Sequence, residues 1–570
     1  MDIINHATIL YNYLNLFYMF SVPRRHSTYT ANHTDRFWRI ISYVLVLFVL
    51  APLLVVFSSW SHINFDTWSH LNATVLPTLL SHSLLLIVGV GLGVSILGVS
   101  LAWLTSLCDF PGRKWLEWGL MLPFALPAYV LAFVFLGLFD FAGPFQAGIR
   151  SVFGLPLNWS IEVRHPLGVL VVLSLVLYPY VYLLARTAFL AQGRCTYEAA
   201  RSLGLGAWGS FWRVSLPMAR PGMIAGVSLA LMEALADFGA VSIFNFDTFT
   251  TAIYKAWFGL FDIQTAAQLA SVLLLFVLLA LLLEQNSRGR ARYIQPVLAA
   301  QRRIPLQGFV AGLASCYTWG IFILAFGLPV GQLAWWAWES RQQLDMGYWS
   351  LVWHTVSLGA AAAVLTVCGA LILAFARRQH DSWGMRASVR IGTLGYALPG
   401  SVLAVGVMLL LTWLDQRIAD AVLWITGSDP ELILTGTLVA LLLAYFARFL
   451  AVAYSPVESA LVRLHPHLRE AAQSLGASSA DMLRRLYLPI LRPGLFAAGL
   501  LVLVDVMKEM PATLLLRPFG WDTLAVRVYE LTAEGEWTRA ALPALALVLV
   551  GLLPVLFLER LVRGTAKAID

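Results

Sequence analysis

The amino-acid sequence predicts an all-α, polytopic membrane protein of about twelve transmembrane helices, arranged as two parallel six-helix repeats. Three observations carry this. Hydrophobic residues make up 59% of the 570 residues and charged ones only 12%, whereas a soluble domain carries roughly 25% charged residues. The apolar residues gather into twelve runs of spanning length. Segments of the chain also repeat at one fixed offset. A disordered chain and an ordinary soluble enzyme are both excluded.

A bilayer-crossing helix needs about 20 mostly apolar residues. The runs lie near 40–57, 80–106, 118–139, 167–190, 222–244 and 266–283, then near 309–330, 351–376, 391–414, 432–454, 494–516 and 541–558. Pro123 and Pro127 interrupt the third, and polar residues stud the eleventh. Cytoplasmic loops are enriched in Lys and Arg. With the N-terminus inside, inner segments hold 27 of the 38 cations, outer loops 8 and the spans 3. Both termini are therefore expected in the cytoplasm. Trp60, Trp68, Trp335, Trp336 and Trp338 flank spans on the outer side, where an aromatic belt forms. The net charge of +7 sits in short inter-span loops, so it speaks for topology and for no nucleic-acid partner.

Residues 1–36 form an extension outside the span pattern. Within it, residues 7–20 are apolar but too short to cross, and no small-residue cleavage site follows. They read as an interfacial segment or as residues upstream of a true start at Met19. The expected division is 37–285 for the first repeat, 286–307 for an Arg-rich linker, 308–562 for the second repeat and 563–570 for a tail.

The repeat is the most informative feature. Residues 198–222 and 470–494 match at twelve of 25 positions without a gap. The same offset of 272 pairs Ala125-Leu126-Pro127 with Ala397-Leu398-Pro399, His82 with His354, and Glu233 and Asp237 with Asp505 and Glu509. An even number of spans per copy means both copies enter from one side, related by a pseudo-two-fold axis along the membrane normal. A solute path is expected near that axis.

The duplicated loop falls between the fourth and fifth spans of each half. Glu and Ala favour helix, the later Gly ends or bends it, and Leu-Pro marks a second break. A short cytoplasmic helix nearly perpendicular to the spans is expected in each half, docking on a partner with two equivalent clefts.

Glu198-Ala199-Ala200, Gly204 and Leu216-Pro217, with Glu470-Ala471-Ala472, Gly476 and Leu488-Pro489, resemble the EAA loops of binding-protein-dependent ABC importer permeases of the bacterial inner membrane. The resemblance covers roughly 40–560. It implies that Glu198, Ala199, Ala200, Gly204, Glu470, Ala471, Ala472 and Gly476 couple the chain to two copies of an ATP-binding-cassette ATPase, with a periplasmic solute-binding protein delivering the substrate. Two further stretches are similar to ferric-iron permeases: Ala236-Asp237-Phe238-Gly239-Ala240 with 246–254, and 508–518 with Trp521-Asp522-Thr523-Leu524-Ala525. Fusion of both halves suits that subfamily and thiamine permeases alike; sulfate and polyamine permeases remain alternatives. The chain has no Gly-Lys dipeptide and so no Walker A loop. It reads as a non-enzyme with no cofactor, whose energy comes from another subunit. An ion-driven secondary transporter is the competing class.

Ionisable groups inside spans are costly and usually functional. Glu233 and Asp237, four apart, are expected on one helical face, as are Asp505 and Glu509. Four carboxylates would then converge near the axis, a set of hard oxygen donors suited to a hard cation. Lining the path and structural pairing both account for them, and Lys508 beside Glu509 favours some pairing. His62, Asp66 and His70 have metal-ligand spacing only if helical, and otherwise belong to a solvated loop. His82 and His354 read as polar helix–helix contacts. Gly89, Gly91, Gly93 and Gly98 read as close helix packing. Cys108, Cys195, Cys316 and Cys368 stand singly, without disulfide or zinc spacing, and no metal set is assigned.

Overall fold

The computed structural model describes residues 33–288 and 303–566, apart from 62, 64, 142, 157, 345, 381, 428–432, 463 and 465. Most of the N-terminal extension, most of the linker, the end of the tail and His62 lie outside the described residues. Twelve helical segments are long and apolar enough to cross a membrane: Arg36–Ser61, Leu76–Leu107, Ala128–Phe153, Pro166–Gln192, Phe211–Ala236, Ile263–Ala280, Gly308–Glu339, Met346–Gln379, Gly400–Thr426, Leu438–Val462, Met482–Lys508 and Trp537–Val555. Each expected run falls on one of them, in order. Helix dominates because every backbone group in hydrocarbon must be satisfied within its own segment.

Two boundaries differ from the sequence reading for the same reason. The third span begins at Ala128 and the ninth at Gly400, each about ten residues late. Before them stand a short helix (Arg113–Gly119 or Trp383–Gly392), a 3-10 turn (Leu122–Ala125 or Leu394–Ala397) and a Leu-Pro pair. The residue before a proline is pushed out of helical conformation, and Leu126 and Leu398 are extended. An apolar window cannot register such a break.

Other Leu-Pro pairs are absorbed without one. Proline has no N–H and its ring crowds the carbonyl a turn earlier. A π-helical turn precedes each of Leu216-Pro217, Leu328-Pro329 and Leu488-Pro489, at Phe211–Ser215, Ile323–Gly327 and Met482–Tyr487. The extra residue in that turn makes room for the ring while the helix continues.

The packing units are not the sequence repeats. One apolar core joins the second repeat's eighth to eleventh spans to the first and sixth spans, through Val46, Val49, Val56, Ala266 and Ala270. The other joins the second to fifth spans to the seventh and twelfth, through Ala325, Leu333, Ala540, Ala544 and Leu547. Each half thus lends its first and last spans to the other. The seam between repeats is therefore crossed by apolar contacts, which stabilise it. Within the first half, the second span lies against the fourth: a Cβ at Gly98 would stand 2.6 Å from Val181 Cβ, so the Gly-rich stretch is close packing.

Where the linker enters the second repeat, Ile304–Pro305 pairs with Cys108–Asp109 as a two-residue parallel ladder. Arg303 reaches Glu117 at 3.4 Å, as Arg186 does at 3.5 Å, and Arg113 pairs with both Glu117 and Asp109. A single carboxylate thus ties the start of the second repeat to the first. Burial pushes the Cys108 thiol up to about 12, consistent with an inert packing residue.

Candidate functional site

The fifth and eleventh spans end at matched positions. Helix Leu216–Ala236 stops at Asp237, whose ψ is 131°, and helix Leu488–Lys508 stops at Glu509, whose ψ is 112°. A short helix follows each break, Gly239–Ile243 and Pro511–Leu516. A broken helix exposes donors and acceptors that must find partners. The carboxylates supply them: Asp237 Oδ1 accepts the Val241 N–H at 3.1 Å, and Glu509 Oε1 accepts the Ala512 N–H at 3.2 Å. Thr250 and Thr513 donate their hydroxyls to the Asp237 and Glu509 carbonyls at 2.7 and 2.5 Å.

This corrects the expectation that Glu233 and Asp237, or Asp505 and Glu509, share a helical face. The second member of each pair has left helical geometry. All four nevertheless line one cavity of about 190 Å³, together with Tyr180, Tyr396, Arg448 and Lys508. It lies at the seam, for Tyr180, Glu233 and Asp237 belong to the first repeat and the others to the second. Tyr396 and Tyr180 face Glu233 across it.

Lys508 lies where the sequence reading put it, but its Nζ donates across the seam to the Phe124 carbonyl at 3.1 Å. The ion pair of Glu509 is with Arg448, whose Nε stands 3.3 Å from Oε2. Arg448 also donates through Nη1 to the Leu398 carbonyl at 3.2 Å. The sequence reading named no role for this residue. Its signal was present, an arginine inside the apolar run at 432–454, since charges in spans are rare and usually functional.

Toward the opposite ends of the spans lie the duplicated loops. In both halves the helix is closed by a Schellman cap. Gly204 and Gly476 adopt φ of 88° and 79°, and the next residue's N–H reaches back five positions, Leu205 to the Ala200 carbonyl and Ala477 to the Ala472 carbonyl. The spacing from the second Ala to the Gly is thus the cap itself, with glycine where a side chain would be strained. Beside each glycine a leucine is almost fully exposed, Leu203 at 84% and Leu475 at 87%. Helix Pro466–Ser474 is short and separate, as expected. The first loop differs: Glu198, Ala199 and Ala200 end a continuous helix, Pro166–Ser202. Pro466 is the physical reason, because it opens a new helix where the first repeat has Arg194.

His82 donates through Nδ1 to the Asp247 carbonyl (2.8 Å) and stacks on Phe246. His354 repeats this with Asp522 (3.3 Å) and Trp521. Both pin the loop after the short helix rather than a neighbouring span. Asp66 and His70 lie on a helix, Phe65–Thr74, where a solvated loop was expected. Among the described residues no group of three His, Cys, Asp or Glu is placed to hold a metal ion.

The family model described as "Binding-protein-dependent transport system inner membrane component" matches residues 94–291 and 366–567. The chain is 29% identical over 490 residues, 85% of its length and 89% of the relative's, to the Fe(3+)-transport system permease protein FbpB 2 of Haemophilus influenzae. It is 23% identical over 470 residues, 78% of this chain and 65% of the relative, to the ferric transport system permease protein FbpB of Actinobacillus pleuropneumoniae. A shorter match, 30% over 196 residues (33% of this chain, 82% of the relative), is to the molybdenum transport system permease protein ModB of Escherichia coli. Two matched segments, in register with the repeat and covering more than half of the chain, place it in one family: it belongs to the binding-protein-dependent transport system inner membrane components.

Proposed function

We propose that the chain is the permease subunit of an ABC importer, with both termini in the cytoplasm, passing ferric iron from a periplasmic binding protein. Coupling is assigned to Glu198, Ala199, Ala200 and Gly204 and to Glu470, Ala471, Ala472 and Gly476, one set for each of two ATPase copies. The exposed Leu203 and Leu475 offer each ATPase an apolar contact on a rigid, capped helix end. The path is assigned to the seam cavity, with Glu233, Asp237, Asp505 and Glu509 on its wall. The observation that carries the iron reading is the convergence of four carboxylates and three phenols, Tyr129, Tyr180 and Tyr396, on one cavity at the seam. Hard oxygen donors of this kind favour a hard cation. Two ferric permeases among the relatives support it over most of the chain.

Arg448 and Lys508 favour a second reading, an oxyanion. Uptake by the reconstituted complex decides. With ferric iron, molybdate, thiamine, sulfate and a polyamine as the panel, ATP-dependent uptake of iron alone is expected. ATP-independent uptake would instead indicate an ion-driven transporter. The path assignment has its own test, since Asp237 and Glu509 also cap helices while Glu233 and Asp505 lie a turn earlier. Glu233→Gln with Asp505→Asn should keep assembly and binding-protein-stimulated ATP hydrolysis and lose most iron uptake. Survival of uptake, or failure to assemble, counts against it.

A further inference from the structure

We propose that Arg448 and Lys508 are resident counter-ions that keep the seam cavity from capturing the cation it passes. This rests on the ferric-iron reading above. Conduction needs binding strong enough to admit an ion and weak enough to release it. Attraction grows with the ion's charge and with the low dielectric of a buried site. Four carboxylates alone would hold a trivalent ion too well. Two fixed cations on the same wall leave a net of two negative charges when all six groups are ionised.

The geometry suits fixed counter-ions. Arg448 is buried, held on one side by Glu509 at 3.3 Å and on the other by the Leu398 carbonyl at 3.2 Å. Space for it depends on Gly400: a Cβ there would stand 2.3 Å from Glu509 Oε1 and 2.9 Å from Arg448 Nη1. Lys508 is tethered by the Phe124 carbonyl of the opposite repeat. Neither cation can follow the ion out. Both cations come from the second repeat, where the first has Val176 and Ala236, so they are additions to the duplicated plan.

The test uses the full complex, with the ATPase and a binding protein loaded with radiolabelled ferric iron. After turnover and washing, wild type should retain little iron. Arg448→Gln and Lys508→Gln should each retain about tenfold more iron per complex and lose uptake to a similar degree, a change equal to about 1.4 kcal/mol. Arg448→Lys keeps the charge and should retain far less iron than Arg448→Gln. Arg448→Gln with Glu509→Gln restores the net charge and should release iron again. Loss of uptake without iron retention in Lys508→Gln, or unchanged uptake in it, overturns the proposal. This holds even if Arg448→Gln, which strands a buried carboxylate, fails to assemble. If wild type takes up no iron, the ferric reading fails instead.

Discussion

At the capped helix ends of the loops after the fourth and tenth spans the two repeats match, and at the seam they do not. The loops share twelve of 25 residues, the same left-handed glycine and the same exposed leucine. The seam keeps the acidic pairs but adds Arg448 and Lys508 on one side only. The difference has a physical basis. A face that meets two equivalent partners must present the same surface twice, and any drift in one copy weakens one contact. A passage used by one solute at a time has no such requirement, so its two walls are free to specialise.

The largest expected effect comes from breaking the symmetric end. Gly204→Pro and Gly476→Pro impose a φ near −65° on backbones held at 88° and 79°, so the cap cannot form. Together they should abolish uptake, and singly they should cause equal losses, with membrane insertion normal in every case. Transport assays beside membrane-fraction blots measure both. Full transport with both changes removes the coupling assignment. Unequal single losses would say that the loops are not equivalent, a result to which the continuous first helix and the separate second one already give a structural handle.

A smaller effect is expected where the halves solve one problem with different chemistry. On the side away from the loops, Asp415 is buried and accepts the backbone N–H groups of Ile433, Leu434 and Thr435. In the first repeat, buried Gln146 ties the Phe139 and Ile161 backbone in the corresponding turn. Removing an acceptor strands each buried donor at about 1–3 kcal/mol, and an ionised acceptor binds more strongly than a neutral one. Asp415→Ala should therefore lower the thermal unfolding midpoint more than Gln146→Ala. The reverse order would mean that the neutral staple bears more of the load.

What the sequence made legible follows what periodicity and spacing encode. Twelve apolar runs gave twelve spans, because hydrocarbon allows few alternatives to helix. The Ala-to-Gly spacing gave the cap, because left-handed backbone selects glycine. The break at Asp237 was not legible, since apolar residues resume directly after it and Thr250, thirteen residues on, helps to hold it, whereas the break at Glu509 had Pro511 as a local signal. The exchange of first and last spans was equally hidden, for an apolar stripe does not specify its partner. Arg448 was readable as a lone charge in a span, but only the fold joins it to a carboxylate 61 residues away.

The smallest expected effect on transport is none at all, and it tests the frame on which the comparison stands. Every statement about a docking end and a delivery end depends on which way the chain threads the bilayer, and the 27-to-8 division of cations is the basis for that direction. Ser61 is exposed at one end of the first span, and residue 207 lies in the first EAA loop. Single cysteines at these two positions, in a chain with Cys108, Cys195, Cys316 and Cys368 replaced, should leave uptake unchanged. An impermeant thiol reagent added from the periplasmic side should then label position 61 and spare 207 until the membrane is opened. Labelling of 207 alone would invert the chain and put the loops on the wrong side for an ATPase. Labelling of both would likewise contradict the orientation drawn from the cation count.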